Sequence, residues 1–295
     1  MQHMTAKVSC FARAYHFKNN IAHVFADSAA QMLLGEDYDK IAESMTQGAG
    51  FFLPDFSGTP QDALRIIVDC QLSPSVLGRS AFCEAALENA IDLGCRQYVV
   101  FAAGYDSYAL RNPDTPLRVF ELDLPEMISD KRCRVQAAGL TTNATYVPCD
   151  LADGTWRERL LAAGFSTQKK SFGSLLGISY YLTKSELKAL LLDVGRLMAS
   201  GSAICLDYPC EAEDAQGELN RTLAKGAGEQ MKARYSPAQM LELLSDCGFA
   251  ATQQLGHEEM TARHFAEYNR RTPQHKMSAP LGVGYILAAK ADEER

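Results

Sequence analysis

The stretch QYVVFAAGYDSYALRNPDTPLRVFELDLP, Gln97 to Pro125, decides how this chain is read. It holds two short apolar runs, Tyr98 to Ala102 and Leu117 to Leu122. Both have strand length and are bounded by turn residues, the pattern of strands buried on both faces of a parallel sheet. The first run leads into Ala103-Gly104, where small side chains let a ligand approach the backbone. The second ends in Glu121-Leu122-Asp123, which sets a carboxylate at the carboxyl tip of the neighbouring strand. Open α/β sheets bind ligands in the crevice outside such tips, and an acidic residue after the second strand holds a ribose diol. The stretch reads as a nucleoside site.

What is missing narrows the nucleoside. A dinucleotide site needs G-x-G-x-x-G opening a full helix whose amino end holds the pyrophosphate. Here Gly104 is followed by Tyr105-Asp106-Ser107, and Asn112-Pro113 ends any helix after about two turns. A diphosphate such as that of NAD is poorly served, whereas an adenosine carrying an amino acid, as in S-adenosylmethionine, needs no phosphate cradle.

The segment QYVVFAAGYDSYALR followed by VFELDLPEMISDKR resembles the leucine carboxyl methyltransferase family of class I S-adenosylmethionine enzymes. The family pattern is a strand, G-A-G-x-D-[TS], an arginine, F-E-x-D-x-P and a downstream lysine, and the likeness runs from about Arg79 to Asp207. It implies a Rossmann-like α/β class I methyltransferase fold, with a mostly parallel seven-stranded sheet, an antiparallel last strand and a helical N-terminal extension. The extension corresponds to residues 1–94. The core corresponds to 95–295, with insertions near 209–235 and 257–280. The cofactor implied is S-adenosylmethionine and the reaction an O-methylation, with a carboxylate of a small molecule or a peptide C-terminus as acceptor. The chain departs from the pattern twice. Ala102 stands where the family has its first loop glycine, and Leu176 stands where it has an acidic residue, in LLGISYYL.

Composition agrees. A chain of 295 residues with 47% hydrophobic residues has ample material for one large α/β domain. A net charge of −7 without a Lys/Arg-rich run argues against nucleic acid as a partner. Nine cysteines without a C-x-x-C pair indicate neither a zinc site nor a disulfide framework, and reduced buried thiols are expected. No apolar run approaches the roughly 20 residues that span a bilayer, and no signal-peptide core is seen, so a cytoplasmic protein without a membrane partner is expected. The oligomeric state is not legible.

Along the chain, helices alternate with strands as a parallel sheet requires. Helices are expected over Asp27 to Leu34, Ser80 to Leu93 and Pro125 to about Ala138, another after the Thr183-x-x-Glu186 capping box, stopped by Gly201, and another after the cap Ser236-Pro237-Ala238-Gln239, closed by Gly248. The third strand is expected at Thr145 to Pro148, the fourth at Ser174 to Tyr180, the fifth at Ala203 to Leu206 and the last at Gly284 to Ala289.

The resemblance also assigns residues. Ala102 and Gly104 would meet the cofactor through backbone, and Asp123 the ribose. Arg79 matches the family arginine that pairs with the methionyl carboxylate, as a guanidinium fork suits a carboxylate; an ion pair with Asp106 is its other reading. Arg13 either reaches the same carboxylate or is a solvated charge. Asp150, with Leu151 the family's D-L dipeptide, matches the adenine contact, and it also reads as the N-cap of a helix around Trp156. Tyr180 and Tyr181 stand where substrate would enter, or pack. No catalytic dyad or metal set emerges. That suits a carboxylate acceptor, which with a pKa near 4 is already ionised at neutral pH. A hydroxyl or phenol acceptor would need a base, for which His257 or His264 is available in the late insertion. A non-catalytic cofactor-binding regulator is the remaining alternative.

Overall fold

The computed structural model describes residues 3–211, 217–218, 221–222, 226 and 230–291. Its strands are β1 (Gln97–Phe101), β2 (Arg118–Asp123), β3 (Ala144–Pro148), β4 (Ser171–Leu175), β5 (Ala203–Pro209), β6 (Phe249–Leu255) and β7 (Val283–Lys290). They form one sheet in the order β3-β2-β1-β4-β5-β7-β6. All neighbours are parallel except β7, which runs antiparallel to both β5 and β6. The chain moves outward from β1 through β2 to β3, then returns to place β4 on β1's other side. Between β1 and β4 lies the switch point where open α/β sheets bind ligands.

The N-terminal part is helical: α1 (Met4–Asn19), α2 (Ala30–Leu34), α3 (Asp37–Gln47), α4 (Ala49–Phe52) and α5 (Pro60–Ile67), then a π-turn over Val68–Leu72 leading into α6 (Ser73–Asp92). Thr59 and Asp62 close a reciprocal capping box on α5. The wide turn immediately precedes Ser73-Pro74. A proline there lacks the N–H of the regular ladder and its ring crowds the preceding turn, which an inserted residue relieves. After β1 come α7 (Tyr108–Arg111), α8 (Pro125–Ala137), α9 (Trp156–Ala162) and α10 (Lys184–Leu197). The helix of Pro237–Asp246 precedes β6. The helices pack on both sheet faces. Leu77, Phe82 and Leu87 of α6 share one core with Tyr98, Val100 and Phe172. Leu187, Leu191 and Val194 of α10 share the other with Val99, Phe101 and Ile204.

Several expected boundaries move. Strand β4 covers Ser171–Leu175, not Ser174 to Tyr180, because the β1 partner sets its register from Gln97 with Ser171 to Val100 with Ser174. Its Ser-Phe-Gly-Ser does not read as an apolar run, yet smallness is required: a Cβ on Gly173 would lie 2.8 Å from Met198. Helix α6 begins at Ser73, so Arg79 lies inside it rather than before it. Helix α2 begins only at Ala30, since the Asp27 side chain accepts the N–H groups of Ala29 and Ala30. Helix α10 ends at Leu197, where Met198 turns extended, before Gly201 is reached. The Thr183 and Ser236 capping boxes both form. All nine cysteines are free thiols. Among the described residues no helix is long and apolar enough to cross a membrane, and no group of three or more side chains could hold a metal ion.

Candidate functional site

Where β1 ends the backbone turns twice through left-handed conformations, at Ala102 (φ 51°) and Gly104 (φ 49°). Glycine adopts this region freely, but for alanine it costs roughly 1 kcal/mol. The turn opens a cavity of about 250 Å³ over the tips of β1, β2 and β4, roofed by Thr5, Ala6 and Ser9 of α1. Asp123 lines it. Its Oδ2 accepts the Gly104 N–H at 2.7 Å and its Oδ1 the Leu124 N–H at 2.7 Å. An ionised carboxylate has about four acceptor positions, so each oxygen keeps one for a diol. Burial pushes the Asp123 carboxyl up, and these two N–H groups act against that.

Glu121, two residues earlier, faces away. It is buried and paired with the fully buried Lys131 of α8. Burial pushes its carboxyl up to about 7, with Lys131 opposing. Of the two acids in this strand only Asp123 reaches the cavity.

Arg13 lies in the cavity wall, but its donors are directed to protein groups. Nε meets Asp27 at 2.8 Å, Nη2 donates to the Tyr105 carbonyl at 2.7 Å and Nη1 to the Ser9 carbonyl at 3.4 Å. It is not a solvated charge, being only 9% exposed. Asp27 also accepts the Ser107 hydroxyl at 2.6 Å. Burial disfavours its charge, yet Arg13, Arg111 and that hydroxyl together hold its carboxyl below the usual range. Asp27 thus ties the loop after β1 to the N-terminal helices.

Arg79 does not pair with Asp106, whose Oδ1 accepts the Tyr108 N–H. Its Nη1 lies 3.5 Å from Oδ2 of Asp207, and Nη2 donates to the Ser9 hydroxyl at 3.5 Å. The guanidinium lies against Gly177, where a Cβ would come within 2.9 Å of it. Asp207, fully buried near the end of β5, also accepts the Gly177 N–H at 2.6 Å and the Tyr180 hydroxyl at 3.1 Å. Its carbonyl accepts the Ser179 hydroxyl at 2.6 Å. One carboxylate therefore sets the whole turn after β4. Sequence reading gave Asp207 no role, although a lone acid inside the apolar run AICLDYP was a signal for one. Leu176, in place of the acidic residue of the resemblance, lines the narrow cavity, and Asp207 from the adjacent strand bonds the residue after it.

A second cavity, of about 670 Å³, adjoins the first, with Thr5, Ser9, Arg79, Gly177 and Tyr181 lining both. Its apolar wall comes from α1, α3, α4, the end of α5, the π-turn and the start of α6, and its far side from 231–234 and 280–283. Tyr180 lines it as well, with a phenol that burial and then Asp207 push well above its ordinary value. Tyr181 stands at the junction.

Other expected residues lie elsewhere. Asp150 is exposed and accepts the Ala152 N–H at 2.9 Å in a tight turn, and the N-cap position of α9 is Thr155, whose side chain makes no capping bond. Leu151 packs on the core beneath. His257 is bonded through Nδ1 to the Ala279 carbonyl. His264 stands edge-on to Phe82, its ring centroid 5.9 Å away, and burial lowers its pKa. None of these four lines either cavity. Two cavities joined at an arginine, one with a carboxylate bearing spare acceptors and one largely apolar, can hold a polar nucleoside and a second molecule in contact while excluding water.

Comparison with known proteins fits this geometry. Residues 6–195 match the family model described as leucine carboxyl methyltransferase. The chain is 32% identical to YktD of Bacillus subtilis (strain 168), which carries the name of an S-adenosyl-L-methionine-dependent methyltransferase; the match covers 97% of each chain. A Frankia alni protein of the same description is 30% identical over 85% of this chain and 86% of its own. In fold alone the chain is similar to magnesium protoporphyrin IX methyltransferase from Synechocystis PCC 6803 with bound SAH. That match has a TM-score of 0.50 and 12% identity, and covers 88% of this chain and 99% of that one.

Proposed function

The chain belongs to the leucine carboxyl methyltransferase family and is an S-adenosylmethionine-dependent methyltransferase, and from that premise we propose that it methylates a carboxylate oxygen. The observation that carries this reading is the wall of the wide cavity, in which no described Asp, Glu or His side chain takes part. A hydroxyl or phenol would need a base there, whereas a carboxylate arrives without its proton. S-adenosylmethionine supplies an electrophilic methyl on a sulfonium, and transfer forms an O–CH₃ bond as the S–CH₃ bond breaks, with no proton moved.

The chain's residues bind, align and dry the two partners. Asp123 accepts the ribose diol through its spare lone pairs, and the backbone at Ala102 and Gly104 leaves room for the nucleoside. Arg79 offers its guanidinium to the amino-acid carboxylate, steadied by Asp207. Arg13 acts behind it by fixing the Tyr105 carbonyl. Tyr180 and Tyr181 shape the passage between cavities. Because two opposite charges cancel as the methyl moves, exclusion of water at the junction favours the reaction, which requires alignment more than acid or base.

The test is methyl transfer measured against pH with a panel of acids and phenols. Turnover should stay level between about pH 6 and 9. A loss of activity on acidification that disappears in His257→Ala or His264→Ala would instead establish base-assisted transfer to a hydroxyl.

A further inference from the structure

Resting on the carboxylate reading above, we infer that the acceptor is a small apolar monocarboxylic acid and not the C-terminus of a peptide. Three features of the wide cavity carry this. Much of its wall is Val8, Met45, Phe52, Ile67, Leu72 and Val76, side chains with no hydrogen-bonding group except the soft thioether of Met45, and the polar side chains beside Leu72 and Val76 are Gln71 and Ser75, too few for the amides of a peptide. A peptide end brings an N–H and a C=O for every residue it inserts, and each costs free energy when desolvated against such a wall. An alkyl or aryl body makes no such demand and gains by burial.

The second feature is charge. Every charged side chain on the described wall is cationic, Arg79 and Lys232 among them, although Arg79 is engaged by Asp207 and Lys232 by Glu186. With no described carboxylate on the wall to repel it, one anionic group matched to a hydrophobic body fits a cavity that has cationic groups on one side and apolar side chains on the other. The third is size, since about 670 Å³ lies within the range of small-molecule sites. The acceptor's carboxylate then stands beside Gly177 and Tyr181, on the wide side of the Arg79 that holds the cofactor's carboxylate, and its body extends toward the π-turn helix.

The experiment uses the purified full chain, methyl-labelled S-adenosylmethionine, and hexanoate, decanoate, tetradecanoate, decanol and a leucine-terminated hexapeptide as acceptors. kcat/KM should rise about fourfold per methylene from hexanoate until the cavity is filled, with no label on decanol or peptide. Calorimetry of the acids on the S-adenosylhomocysteine complex should show the same tightening even if turnover is slow. Phe52→Glu and, independently, Val8→Glu should weaken decanoate at least tenfold while S-adenosylhomocysteine affinity holds. Peptide methylated as well as decanoate, affinity that ignores chain length, no acid bound at all, or decanoate unaffected in both folded variants would each overturn the inference. Methylation of peptide carboxylates alone would leave the carboxylate reading standing, whereas label on decanol and on no acid would overturn that reading itself.

Discussion

The narrow cavity takes its floor from adjacent strand tips and the turns that follow them, under a roof from α1, whereas the wide one draws on α1, α3, α4, α5, the π-turn, α6 and the segments around 231–234 and 280–283. The first presents backbone groups and a carboxylate; the second presents side chains, apolar with a cationic edge. The difference teaches that the region for the common cofactor is built by backbone conformation, which few substitutions disturb. The region for the acceptor is built by side chains brought from far apart, where each residue changes the specificity. Both depend on the buried charges beneath them.

The sharpest way to break this comparison is at the buried pair on the strand that carries Asp123, behind the narrow cavity. Lys131→Met leaves the buried Glu121 without its partner, which should cost about 3–5 kcal/mol and lower the denaturation midpoint steeply. An unchanged midpoint in urea would show that the pair holds nothing. Next, Asp123→Ala should leave the fold intact but weaken S-adenosylhomocysteine by about 1.5–3 kcal/mol, roughly ten- to a hundredfold by calorimetry. Wild-type affinity in that variant would remove Asp123 from the site.

The N-terminal helices that wall the wide cavity have their own vulnerability, to acid, at a residue outside that wall. His16, buried near the end of α1, accepts the Val24 N–H at 3.0 Å. Burial first, then His23 and Arg65, lower its pKa from 6.5 to about 3. Between those values the unfolded chain holds a proton that the folded chain does not, so this contribution is present above pH 6.5 and is lost as pH falls toward 3. Glu84 and Glu121, raised to about 7 by burial, act in the opposite sense and lose their contribution as pH rises through 7. The informative quantity is therefore the difference from His16→Gln, which keeps an acceptor: the wild type should lose about 1 kcal/mol more per pH unit below 6.5. Parallel pH curves for the two proteins would count against it. The smallest effect belongs to the turn after β1. Ala102→Gly should stabilise by about 0.5–1 kcal/mol with cofactor affinity unchanged, because the left-handed backbone no longer carries a Cβ. A lower melting temperature would mean that the methyl group packs usefully.

The fold and the narrow cavity were legible where local chemistry decides. Apolar runs ending in Gly104 and Asp123 are short-range signals, as are the capping boxes at Thr183 and Ser236. Strand β4 was misplaced because its serines and glycine answer to the packing of β1 and Met198, not to any run of their own. Asp150 was drawn to an N-cap by its neighbours, yet Thr155 holds that position.

By itself the sequence determined the order of strands and helices, the turn that exposes backbone after β1, and the acid at the tip of β2, because strand pattern and turn chemistry are properties of neighbouring residues. Only the tertiary structure decided that Arg79 meets Asp207, that Glu121 is buried on Lys131 while Asp123 faces the cavity, and that His257 lies away from it. Those outcomes depend on which strand lies beside which and which helix covers them, and a charge takes its partner from the sheet order that brings distant segments together.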